Sequence, residues 1–141
     1  MKKTLLILFV SFCTAKATGQ QKKLQDLVGR WEIVGERENG ASLEVIDSST
    51  IILVYGGERK KIRDYSIDFT KSPIWFDFST VGDSASMITV KSLIEIINNN
   101  MIKWQLFVDE ERTPHFSSSK GELFFLRKTI STTVAATVSN N

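Results

Sequence analysis

At 141 residues the chain is long enough for one domain with one core and too short for two. Lys and Arg number 18 against 16 Asp and Glu, but Lys2, Lys3 and Lys16 all fall in the first nineteen residues; the rest carries 15 against 16, a net charge of −1. That balance removes the electrostatic case for a nucleic-acid-binding protein.

Residues 1–19 read as a secretory signal peptide. Lys2 and Lys3 form a basic start, Leu5 to Phe12 an apolar run, and Ala15, Ala17 and Gly19 supply small residues for cleavage, favoured after Gly19. The apolar run is too short for a permanent anchor, so no transmembrane segment is expected after cleavage. The expected location is therefore exported, periplasmic or secreted. A lipoprotein anchored through Cys13 is the weaker alternative, because Phe12 stands where a lipobox carries a small residue. Without Cys13 the mature chain has no disulfide and no thiolate.

Leu24 to Val28 has helical character and breaks at Gly29. A first strand, Arg30 to Arg37, follows with Trp31, Ile33 and Gly35 on one face, and Asn39-Gly40 is a tight-turn signal. Leu43 to Asp47, Thr50 to Tyr55 and Lys60 to Phe69 are the next strand candidates. In the last of these Tyr65, Ile67 and Phe69 alternate with Asp64, Ser66 and Asp68. Ile74 to Phe78 follows Pro73, Gly82-Asp83-Ser84 is a turn, and Met87 to Ile97 is a long strand or a bent pair. Met101 to Val108 alternates most regularly, Asp109 to Lys120 reads as an irregular loop, and Glu122 to Lys128 is the last strand. Residues 129–141 read as a polar tail. Seven or eight short strands without a long helix predict an antiparallel sandwich or barrel, and periodicity does not choose between them.

Gly29-Arg30-Trp31 at the mouth of the first strand resembles the first signature of the lipocalins. A second resemblance runs from Lys71 to Lys128: Ser72-Pro73 followed by Asp77, a strand through Glu95-Ile96, the loop Arg112-Thr113-Pro114-His115-Phe116 and the terminal Leu126-Arg127. In that order they are similar to a lipocalin-like family of small exported bacterial proteins of uncharacterised function. The usual second lipocalin signature is not evident. The resemblance implies a small antiparallel lipocalin-like β-barrel of about eight strands with a short N-terminal helical turn, over residues 20–128. It also implies structural roles for Gly29, Trp31 and Arg127, with the Arg127 guanidinium lying across the Trp31 ring.

His115 is the only histidine, and the serines near it are most simply a flexible loop, so no catalytic residue is expected. Neither a metal site nor a cofactor is expected, since one histidine and scattered carboxylates lack a ligand pattern. Asp77 and Glu95 either meet a ligand or point outward to surface cations. Tyr65, Phe69, Phe76, Phe78, Trp104 and Phe125 are assigned to inward faces, where they line an apolar cavity or fill a core. The expected function is binding or sequestration of a small hydrophobic ligand or lipid without catalysis. The alternative is a cell-envelope interaction module with a filled barrel and a protein partner.

Overall fold

The computed structural model describes residues 22–35, 41–82 and 84–130. The leader, the Asn39-Gly40 turn, Asp83 and the tail beyond Ile130 lie outside the described residues. One helical turn, α1 (Leu24–Leu27), precedes nine strands: β1 (Gly29–Ile33), β2 (Ser42–Asp47), β3 (Thr50–Tyr55), β4 (Glu58–Lys61), β5 (Arg63–Asp68), β6 (Ile74–Val81), β7 (Met87–Asn98), β8 (Met101–Val108) and β9 (Glu122–Thr129).

All pairings are antiparallel, in the order β4-β3-β2-β1-β9-β8-β7-β6-β5. The two outermost strands are separated in sequence only by Ile62, so they are one strand that changes partner. Its first half pairs with β3, through Leu53 opposite Lys60, and its second half with β6, through Ile67 opposite Phe76. That switch rolls the sheet into a nearly closed barrel. Two side chains bridge the seam. Lys60 Nζ donates to the Val81 carbonyl at 3.4 Å, and the Tyr65 hydroxyl donates to the Ser48 carbonyl. The sandwich left open by periodicity is thus excluded, and the long strand after Ser86 is a single strand rather than a bent pair.

The first strand is shorter than its apolar pattern suggests, ending at Ile33 before a turn at Val34-Gly35. Its inward residue Trp31 is fully buried, and its indole nitrogen donates to the Leu27 carbonyl at 2.7 Å. That bond ties α1 across one end of the barrel, where Leu24 and Val28 pack on the core. The turn itself is short because Asp26 takes the Lys23 N–H at 2.9 Å and no apolar repeat extends beyond Val28. Gly29 has to be glycine: its φ is +133°, and a Cβ would stand 2.5 Å from Lys128 Cε.

The cation over Trp31 is Lys128, whose Nζ lies 5.2 Å from the ring centroid, and not Arg127. Register explains the correction. Lys128 is opposite Trp31 and shares its inward face, whereas Arg127 is opposite Glu32 and Met101 on the outer face. Phe125 is corrected in the same way. Ile102 opposite Leu126 and Trp104 opposite Phe124 put those residues inside, so Phe125 points outward and is 45% exposed.

Candidate functional site

Three of the six aromatic candidates meet in the middle of the barrel. Phe76, Phe78 and Trp104 come from β6 and β8, with centroids 5.0 Å apart for the two phenylalanines and 6.2 Å from each to the indole. None is more than 3% exposed. The indole is also satisfied internally: Trp104 Nε1 donates to Ser92 Oγ at 2.9 Å, and that hydroxyl donates to the Phe76 carbonyl. A satisfied, closed stack leaves no surface here for a ligand, so these rings are packing. Tyr65 sits edge-on to Phe76 at 6.2 Å, with its hydroxyl committed to the seam, and Phe69 packs half-buried beside the core. Phe125 belongs to the outer wall, beside Leu123 and Val34.

Partly buried apolar residues occur at both ends of the barrel, and at the end opposite α1 they form a set of their own. There β1, β3, β6 and β8 finish, and Ile33, Leu53, Ile88, Leu106 and Phe124 point inward while only partly buried. Their facing follows from register. Leu53 is opposite inward Leu43, Ile33 opposite Leu126, Ile88 opposite Thr80, and Leu106 opposite Ser92. Thr80 Oγ1 is buried among them without a hydrogen-bond partner. Sequence reasoning missed this ring because aliphatic residues at strand ends carry no signal to separate a mouth from a core.

The irregular segment from Asp109 to Gly121 is a strap over the outer wall of β6, β7 and β8. Arg112 is its main anchor. Its guanidinium lies 3.9 Å from the Trp75 ring centroid and pairs with Asp77, and its side chain is 11% exposed. Gln105, wholly buried on the outer face of β8, serves both ends of its amide. It accepts the Ser117 N–H at 2.9 Å and donates to the Ser117 and Lys120 carbonyls at 2.7 Å each. Under the strap Leu93 and Phe107 are fully buried, forming a second small core outside the barrel. Gly121 ends it at φ +66°, where a Cβ would come 2.4 Å from the Leu106 carbonyl oxygen. Lys91 holds the Glu111 carboxylate at 2.7 Å, and this hydrogen bond lowers the Glu111 pKa below the usual glutamate range.

Asp77 thus points outward to a cation, and Glu95 is exposed opposite Lys103; the two carboxylates are not brought together. His115 is exposed on the strap, where its carbonyl accepts the Thr113 hydroxyl at 2.6 Å. Among the described residues no group of His, Cys, Asp and Glu side chains is arranged to hold a metal ion. No described helix is long and apolar enough to cross a membrane.

Removing Arg112 takes away both the ion pair and the stack. Arg112→Ala should lower stability by about 2 kcal/mol and speed amide exchange at Ser117 and Lys120. Urea unfolding and hydrogen exchange read the two effects; an unchanged midpoint would mean that Gln105 alone holds the strap.

Comparison of the chain with protein-family models, with curated proteins and with solved structures finds no match.

Proposed function

We propose that the chain is an exported, lipocalin-like binding protein that takes up a small apolar molecule and carries out no chemistry on it. The observation that supports this reading is the ring of inward, partly buried aliphatic and aromatic side chains at the end opposite α1. Apolar surface left incompletely packed in a concave site, with a few polar groups beside it, is the usual construction of a small-molecule pocket. The ligand would rest against Ile33, Leu53, Leu106 and Phe124, with the buried Phe76–Phe78–Trp104 stack left intact beneath it. Binding would draw on burial of apolar surface at roughly 25 cal/mol per Å².

Leu106→Trp tests this. The larger side chain takes up the partly buried space beside Leu106, so uptake of anilinonaphthalene sulfonate or a fatty acid should fall at least about tenfold. Stability should stay within about 1–3 kcal/mol of the parent. Unchanged uptake in a folded variant would remove the mouth from consideration.

The closed Phe76–Phe78–Trp104 stack favours a second reading, an envelope interaction module whose barrel is filled throughout. On that reading neither the parent nor Leu106→Trp takes up the probe, and a protein partner is the cargo.

A further inference from the structure

Leu93 and Phe107 are fully buried, yet neither belongs to the barrel core. They point outward from β7 and β8, beneath the strap. Register sets Leu93 between Trp75 of β6 and Gln105 of β8, and Phe107 opposite Lys91, so Trp75, Leu93 and Phe107 form one outward apolar patch. The cover over this patch is of a different character. From Asp109 to Gly121 the strap carries two apolar side chains, Pro114 and Phe116, and neither is fully buried.

Charge and hydrogen bonding fasten the strap instead. Arg112 pairs with Asp77 and stacks on Trp75, Lys91 holds Glu111 at 2.7 Å, and Lys103 Nζ lies 4.1 Å from the Phe116 ring centroid. Gln105 adds its three bonds to Ser117 and Lys120. None of these ties is a rung of the sheet. β6, β7 and β8 each have a strand on both sides, so lifting the strap costs no ladder pairing. It also leaves no buried polar group unsatisfied, because the freed Gln105 amide and the strap carbonyls meet water. What is lost is the cover of two outward side chains, while the interior around Trp31, Phe76, Phe78 and Trp104 stays closed. Both ends of the strap are sharp turns. Asp109 at φ +52°, just after β8, and Gly121 at φ +66°, just before β9, hold the chain in the left-handed region. The Asp109 N–H donates to the Thr89 carbonyl at 3.4 Å and stays with the first of these turns.

We infer that the strap is a lid. The Asp109–Gly121 segment opens as one unit about its two ends while the barrel stays folded, uncovering Trp75, Leu93 and Phe107. Local opening of this kind belongs to segments with few buried apolar contacts of their own that border a cooperative core. Opening of the strap is separate from the mouth and requires no ligand there.

Native-state hydrogen exchange of the protein as its host exports it tests this. The Ser117 N–H is held by Gln105 Oε1 at 2.9 Å and reports the closed strap. Low urea should speed the ladder amides of β7 and β8, which wait for global unfolding, and leave Ser117 nearly unchanged. Two substitutions separate the units. Ile102→Val weakens the barrel core and should speed the ladder amides about fivefold with no change at Ser117. Arg112→Ala loosens the closed strap itself and should speed Ser117 about thirtyfold. Equal acceleration of Ser117 and the ladder amides by Ile102→Val would overturn the inference, since the strap would then open only when the barrel unfolds. A Ser117 amide that exchanges in the parent as fast as in an unstructured peptide would overturn it too, since there would be no closed state to open.

Discussion

Trp104→Ala should cost about 3–5 kcal/mol of folding stability, enough to unfold a domain of ordinary marginal stability. The indole contacts Phe76 and Phe78 at 6.2 Å between centroids and is 3% exposed, so its removal leaves a void walled by rings that cannot collapse into it. It also deprives Ser92 Oγ of its donor, although the serine still donates to the Phe76 carbonyl. Chemical denaturation measures the loss. Were Trp104 the wall of a ligand cavity, the same substitution would enlarge the cavity and be tolerated with only weakened binding. A loss below about 1 kcal/mol would contradict the filled core assigned to this part of the barrel.

Trp31→Ala carries an expected penalty of similar size, about 3–5 kcal/mol, by a different route. Trp31 is fully buried and bonds the Leu27 carbonyl, so its loss empties the closed end and unfastens α1. The neighbouring cations separate the geometry seen here from the one implied by family resemblance. Lys128→Ala should cost about 0.5–1 kcal/mol, because its ammonium lies over the indole and its stem covers Gly29. Arg127→Ala, on the outer face, should stay within about 0.5 kcal/mol of the parent. Thermal melts of the three variants would test the order, and a larger loss for Arg127→Ala than for Lys128→Ala would reverse the assignment.

These residues also show what the amino-acid pattern conveyed. Strands with strict alternation were readable to within a residue or two. In Met101 to Val108, Ile102 and Trp104 lie inside, and Lys103 and Gln105 outside, as the pattern requires. The phase was lost where alternation fails. Leu123 to Leu126 is apolar at every position, so nothing local shows that Phe124 rather than Phe125 faces the core, and the error carried to Arg127 and Lys128. The partner switch at Ile62 was equally hidden, because closure of a sheet depends on register between strands distant in sequence. Arg112 and Asp77 were visible as separate features of the chain. Their pairing across the outer wall is a tertiary event with no local signature. The mouth itself was illegible, since Ile33, Leu53 and Leu106 differ from core residues only in how much of their surface is left uncovered.

Binding at the mouth of a barrel whose centre is filled is tested most directly by native mass spectrometry of the protein purified from its own host, followed by organic extraction. The account predicts an apolar species of defined mass that leaves on extraction, returns on incubation and fails to bind Leu106→Trp. A clean apo mass in the parent, with no uptake of fatty acids or of an environment-sensitive apolar dye, would contradict it.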